Sequence, residues 1–228
     1  MKTIGIHQPN YIPWLGYFYK VYLSDVFVFL DDAQFSNEGM HNYHYIKTPQ
    51  GAFRLKIPVI GAFGSSINEV TTNDALGWRE RHLKTIESNY KKARFFDLVF
   101  MDYKLFLENS CSNLAMFNEK IIRFICDKLG FKTEFVRSSS LDVISLQEKR
   151  IIEICRKLHG EIYYSGTGAR AYQNEKNFEK NGIILKYSGY KPFEYPQLWN
   201  GFQKNVTIID FLMNCGYDWD RVVTNQKN

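Results

Sequence analysis

The feature that most constrains the fold of this 228-residue chain is its opening: two short apolar strands joined by a Pro-broken loop and a helix, all within 32 residues. Residues 2–7 read as a buried strand with a polar tip at His7. Pro9 and Pro13 make the next stretch a loop, because the ring fixes φ and removes a donor. From Trp14 to Leu23 the spacing of Leu15, Phe18, Tyr19 and Tyr22 is helical. The run from Asp25 to Leu30 is rich in β-formers and stops at Asp31-Asp32. A strand, loop, helix and strand of this length is the unit of a parallel sheet.

A second series of the same kind lies far down the chain. Thr133 to Val136 reads as a strand ending at Arg137-Ser138-Ser139-Ser140. Ser145-Leu146-Gln147-Glu148 has the pattern of a capping box opening a helix with Ile151, Ile154, Cys155 and Leu158 on one face. Ile162-Tyr163-Tyr164 is a further strand, residues 174–181 a short helix, and Ile183 to Leu185 another strand. Two such series predict an α/β fold: an open, mostly parallel, Rossmann-like sheet with helices on both faces. A β-hairpin insertion at about 40–60 is expected from Tyr43–Lys47 and Phe53–Ile57 around Thr-Pro-Gln-Gly. Helices are expected at 77–93, about 95–109 and 113–129, the last closed by Gly130. The length suits a single domain over 1–228, with the segment from about 190 to 228, including a helix at Ile208–Cys215, packing over the site.

Composition narrows the function classes. The net charge of +5 is mild and scattered, and the densest basic run, Tyr90 to Arg94, ends a helix, where cations complement the dipole. That is no nucleic-acid footprint, so no nucleic-acid partner is expected, while a phosphate-bearing small molecule is compatible. The 18 Phe and 15 Tyr suit pocket walls facing sugars, or reflect a bias toward such residues without function. The four Cys form no C-x-x-C pair and no metal-ligand spacing, so reduced thiols, no metal site and a cytoplasmic location are expected. The N-terminus has no signal-peptide pattern, and no apolar stretch reaches membrane-spanning length.

Ligands of open parallel sheets bind beyond the carboxyl ends of the strands. Here those ends carry His7-Gln8, Asp31-Asp32, Ser138-Ser139-Ser140 and Ser165-Gly166-Thr167-Gly168. His7 suits a general base or a phosphoryl contact, or else a loop histidine bonded to its own turn. Asp31 and Asp32 are candidates to accept protons or hold Mg²⁺, or to start a turn. Gln8 can donate and accept, and Gly16 allows close approach of the first helix. The H-x-x-H of His41 and His44 lacks a third metal ligand nearby; a ligand-contact loop with Asn42, His44 and Lys47 is preferred, although strand alternation puts His44 opposite Lys47. Successive N–H groups of Ser165, Gly166, Thr167 and Gly168 can cradle a phosphate and Arg170 can clamp it, the alternative being a tight turn with a surface Arg. No G-x-S-x-G elbow is present.

Two long segments, His7-Gln8-Pro9-Asn10-Tyr11-Ile12-Pro13-Trp14-Leu15-Gly16-Tyr17-Phe18 and Phe27 to Phe35 with its Asp31-Asp32-Ala33-Gln34, resemble the opening of WbqC-like proteins. Ile57-Pro58-Val59, Tyr163 to Tyr172 and Ile208 to Gly216 are similar to later blocks of that family. The chain departs at Asn42-Tyr43-His44, where the family often has an Asn-Arg pair. The resemblance implies a bacterial, cytoplasmic protein of O-antigen or lipopolysaccharide biosynthesis. It also implies a transferase moving an acyl or aminoacyl group, often glycyl, onto the amine of a nucleotide-linked aminosugar. Its partners would be that small-molecule substrate and an acyl or aminoacyl donor, with a homodimer as the alternative to a monomer and no cofactor legible. Catalysis falls to His7, Asp31 and Asp32; Asn10, Tyr11, Trp14, Gln34 and Tyr172 join Gln8, Gly16, Asn42, His44, Lys47, Ser165–Gly168 and Arg170 as substrate contacts. A looser likeness to adenylyl-transferring nucleotidyltransferases fails at Trp14-Leu15-Gly16-Tyr17, where two histidines would flank the glycine. An ATP- and Mg²⁺-using ligase and a non-catalytic nucleotide-sugar binder remain the rival readings.

Overall fold

The computed structural model describes residues 1–61, 63–109 and 111–227, apart from the side chain of Tyr172. In chain order the elements begin with β1 (Thr3–His7), α1 (Leu15–Tyr22) and β2 (Val26–Phe29), followed by β3 (Tyr43–Thr48), β4 (Gly51–Lys56), β5 (Val59–Ile60) and β6 (Thr71–Thr72). Helices α2 (Trp78–Tyr90), α3 (Phe96–Glu108) and α4 (Leu114–Lys128) come next, then β7 (Glu134–Arg137), α5 (Gln147–Lys157), β8 (Ile162–Ser165), α6 (Glu175–Glu179) and β9 (Ile184–Tyr187). The chain closes with α7 (Ile208–Cys215) and α8 (Trp219–Lys227).

These elements form two compact units. The first comprises residues 1–9, 16–33 and 131–191; the second comprises 10–15, 34–130 and 192–228. The predicted hairpin is thus one part of a much larger excursion between β2 and β7, and the C-terminal segment joins that excursion's unit.

The first unit is a five-stranded sheet in the order β7-β2-β1-β8-β9, every pair parallel. One face carries Ile4, Ile6, Val26, Val28, Tyr163 and Leu185, packed by Ile152, Ile154 and Cys155 of α5 and Phe178 of α6. On the other face Phe27 and Phe29 meet Phe135, and the Tyr17 ring of α1 lies against Phe27. Gly5 is required here, since a Cβ would fall 2.3 Å from Ser24 Oγ and 2.8 Å from the Phe27 ring. The chain is therefore an α/β Rossmann-like protein with helices on both faces, as the two sequence series predict.

The predicted capping box does not form. Helix α5 starts at Gln147, whose φ of 52° breaks the geometry. Ser145 instead donates to Glu153 at 2.5 Å, and the Glu148 carboxylate accepts from Asn174 N–H and the Asn177 amide. Tertiary partners outcompete the local cap.

The second unit holds the β3–β4 hairpin, paired from Tyr43↔Lys56 to Thr48↔Gly51, and the small β5–β6 pair. Helices α2, α3 and α7 pack around Trp78, Ile86, Tyr90, Val99, Tyr103 and Phe211, all buried. Among the described residues no helix is long and apolar enough to cross a membrane.

Candidate functional site

In the first unit the strand succession runs outward from β1 through β2 to β7, then resumes on the other side of β1 with β8 and β9. The reversal lies between β1 and β8, and crevices at such reversals are where open parallel sheets bind ligands. The β1–β8 register ends at Gly5↔Tyr164 and, continued by two residues, sets His7 beside Gly166.

His7 is half-buried at the end of β1. Its Nδ1 lies 3.1 Å from the Gln8 carbonyl. A carbonyl only accepts, so Nδ1 carries the proton and Nε2 is the basic nitrogen of the neutral ring. The same carbonyl accepts the Tyr17 hydroxyl at 3.0 Å, and the Tyr17 ring meets His7 edge-on at 4.9 Å. One turn further along α1, the buried Lys20 ammonium donates to the Ile6 carbonyl at 2.9 Å. Burial pushes the Lys20 amine down to about 7. Two residues of one helix therefore fix the carbonyls on either side of His7. Gly16 sits buried in the first turn of that helix.

Across β2 the parallel register pairs Phe29 with Arg137, so Asp31-Asp32 and Ser138-Ser139 emerge side by side. Asp31, buried, accepts Ser139 N–H at 3.1 Å and Ser139 Oγ–H at 2.6 Å, and its Oδ1 lies 3.3 Å from Ser138 Oγ. Asp32 accepts from the Ser138 hydroxyl and from Arg150 at 2.5 Å. All four carboxylate oxygens thus have protein donors, and the anion bound by Arg150 is Asp32. The pair braces the ends of β2 and β7.

Beyond β8, Ser165 is buried and the chain enters a short 3-10 helix from Thr167. A Cβ on Gly166 or Gly168 would meet nothing within 4 Å, so space beside this loop is open to an approaching ligand. The exposed Arg170 stacks its guanidinium over Tyr187 at 4.6 Å, which orients it without neutralising it. The side chain of Tyr172 lies outside the described residues.

The remaining predicted contacts belong to the second unit. Tyr11 is fully buried and its hydroxyl lies 2.6 Å from Tyr103 Oη and 2.8 Å from His82 Nδ1. His82 Nε2–H donates to the Lys56 carbonyl, so Nδ1 accepts from Tyr11, and Tyr11 accepts from Tyr103. Tyr11 is thereby a core residue with its hydroxyl fully engaged. Lys47 is buried and its ammonium holds the carbonyls of Trp199 and Gly201. Gln34 is exposed and bridged to Ser66. Asn10, Asn42 and His44 are buried, each with a polar atom that has no protein partner, and the Trp14 ring stacks on His44 at 6.0 Å. His41 is buried against Phe35. Burial pushes both His41 and His44 down to about 4, so both rings are neutral at neutral pH. Among the described residues no three His, Cys, Asp or Glu side chains gather as a metal site.

Two features escape a reading of sequence pattern alone. Lys20 is one, and Asp210 is the other: buried at the start of α7, it accepts Tyr90 Oη–H and Tyr195 Oη–H at 2.9 Å each and Gln197 Nε2–H at 2.7 Å. Burial raises its carboxyl above the ordinary range. The available signal is the same in both cases, a single charge inside an otherwise apolar helix, Leu15–Tyr22 or Ile208–Cys215.

The fold and the first unit's site define an open-sheet α/β protein with an oriented histidine at its switch point. The chain belongs to the WbqC-like protein family, whose pattern matches residues 8–221. It is 34% identical over 222 residues to an uncharacterized protein of Mycobacterium tuberculosis, covering 95% of each chain. No solved structure matches it significantly. Membership in this family points to glycan biosynthesis.

Proposed function

We propose that the protein transfers an acyl or aminoacyl group to the amine of a nucleotide-linked aminosugar during surface-polysaccharide biosynthesis in the cytoplasm. The observation that carries this reading is His7, held with Nδ1 protonated and Nε2 basic at the sheet's switch point. In the reaction the sugar nitrogen attacks the donor's acyl carbon. A C–N bond forms, the bond to the donor's leaving group breaks, and His7 Nε2 takes the proton released by the amine. General-base help of this kind is worth about 10²–10⁴ in rate. The open loop at Gly166–Gly168 with Arg170 is the candidate diphosphate contact. Asp31 and Asp32 act as positioning residues, since their oxygens are engaged by Ser138, Ser139 and Arg150.

The test is product formation, measured by mass spectrometry, from nucleotide aminosugars and a set of acyl and aminoacyl donors. His7→Ala should lower turnover about 10²–10⁴-fold with little change in substrate KM. Near-normal turnover in His7→Ala rules out this assignment. Release of AMP or ADP only with ATP and Mg²⁺ would move the reading to a ligase.

A further inference from the structure

The second unit contains a group of buried polar atoms that the proposed chemistry does not use. Asn10 Oδ1, His41 Nδ1, Asn42 Oδ1 and His44 Nε2 have no hydrogen-bond partner within the protein, and all four residues are at most 2% exposed. Buried polar groups are nearly always bonded, so four on two adjoining segments call for an explanation.

The segments that carry them are rigidly framed. Tyr11 N–H donates to the Met40 carbonyl at 3.1 Å, which ties residues 10–14 to residues 40–44. Asn42 exchanges two bonds with Ile57, through Ile57 N–H to its carbonyl and through its own Nδ2 to the Ile57 carbonyl. Asn118 Nδ2–H holds the His41 carbonyl at 2.7 Å. Thr207 ties both segments to α7, with its N–H on the Tyr45 carbonyl and its hydroxyl on the Ile12 carbonyl. Such a frame keeps these polar atoms from relaxing toward alternative partners.

Their chemistry is mixed and uncharged. His44 Nδ1 accepts Tyr45 N–H at 2.9 Å, so the proton of the neutral ring is on Nε2, a donor. Asn10 and Asn42 offer carbonyl acceptors. Trp14, half-buried, lies over His44 with an interplanar angle of 25°. One donor, His44 Nε2–H, with two carbonyl acceptors and the His41 imidazole nitrogen, beside an aromatic face and without net charge, matches a ring bearing several hydroxyl groups, each of which donates and accepts. An anion would demand donors alone, and an ammonium acceptors alone.

We infer that residues 10–14 and 41–44 of the second unit form a recognition site for an uncharged, hydroxyl-bearing ligand, a neutral sugar ring. This inference stands on the second unit alone and does not require the transfer reaction. The test uses the full chain with free N-acetylglucosamine and galactose as neutral probes and glucose 1-phosphate as the charged control. Calorimetry should show binding of a neutral sugar that is insensitive to salt and weakened at least about tenfold in Asn10→Leu and in His41→Phe. Both substitutions replace an unbonded polar atom by carbon while nearly keeping the side chain's heavy-atom outline, so both variants should melt at or above the wild-type temperature. Variants that melt lower and bind sugar unchanged would overturn the inference and assign these atoms to structural water. Absence of any neutral-sugar binding by the wild type, at concentrations up to solubility, would overturn it too.

Discussion

The two units differ in how the polar groups at their candidate sites are bonded. In the sheet unit the charged and hydroxyl groups at the strand ends are tied together: Asp31 and Asp32 to Ser138, Ser139 and Arg150, and His7 to Gln8. In the second unit Asn10, His41, Asn42 and His44 are buried and each keeps an unbonded polar atom, while the buried charge that is fully bonded, Asp210, sits in the core among Tyr90, Tyr195 and Gln197. The difference teaches that burial alone does not sort structural from functional polarity. Completeness of bonding narrows the choice: an engaged network stabilises a fold, and a cluster of unbonded atoms on adjoining segments is a candidate for binding something else.

The largest effect should come from removing the engaged carboxylate. Asp210→Ala leaves two tyrosine hydroxyls without their acceptor, while the Gln197 amide keeps the Gln203 carbonyl, and should cost about 3–5 kcal/mol in denaturant unfolding. Asp210→Asn, which keeps an acceptor oxygen, should recover most of it. An Asp210→Ala change below about 1 kcal/mol would erase the contrast between the two kinds of polarity.

Acid should act next, and mainly on the second unit. His41, His44 and His82 have pKa values pushed down to about 4 by burial, against 6.5 for the free side chain. The unfolded chain therefore binds more protons between these values, and stability falls as pH drops from 6.5 toward 4. Each histidine contributes up to about 3 kcal/mol to that loss. Melting temperature against pH should fall steeply below about pH 6, and His41→Phe should flatten the fall. A flat profile to pH 4 would contradict neutral burial.

Lys20 is the sheet unit's counterpart. Its folded pKa of about 7 lies below the free value of 10.5, so the unfolded chain holds the extra proton between the two. Stability should rise with pH over that window and be fully penalised below 7. Lys20→Met should stabilise the protein at neutral pH by on the order of 2–3 kcal/mol, read as a higher melting temperature whose pH slope above 7 is reduced. A destabilised Lys20→Met would show that the bond to Ile6 outweighs the desolvation of the amine.

Much of the sheet unit is legible in sequence because its code is local. Ile4, Ile6, Val26 and Val28 alternate on one face and Phe27 and Phe29 on the other, and each strand stops at a polar end. The candidate base His7 and the Ser165–Gly168 loop emerge from the same pattern. What the pattern hides depends on partners distant in the chain. Arg150 finds Asp32 across 118 residues, and Ser145 and Glu148 leave their local cap for tertiary partners. Lys47 is expected as a contact of the 42–47 loop, and Tyr11 through the family resemblance. Their partners, Gly201 and Trp199 for one and Tyr103 and His82 for the other, become neighbours only in the folded unit. The second unit is hidden as a unit because its largest stretch, 34–130, interrupts the crossover from β2 to β7, and residues 10–15 and 192–228 join it only in the fold.

The most direct test of this division is calorimetric binding of two probes, uridine diphosphate and a neutral sugar, each to the wild type, Arg170→Ala and Asn10→Leu. Arg170→Ala should weaken the diphosphate about tenfold or more and leave the sugar unchanged, while Asn10→Leu should do the reverse. Loss of both probes in both variants, or of neither in either, would contradict the division of labour between the two units.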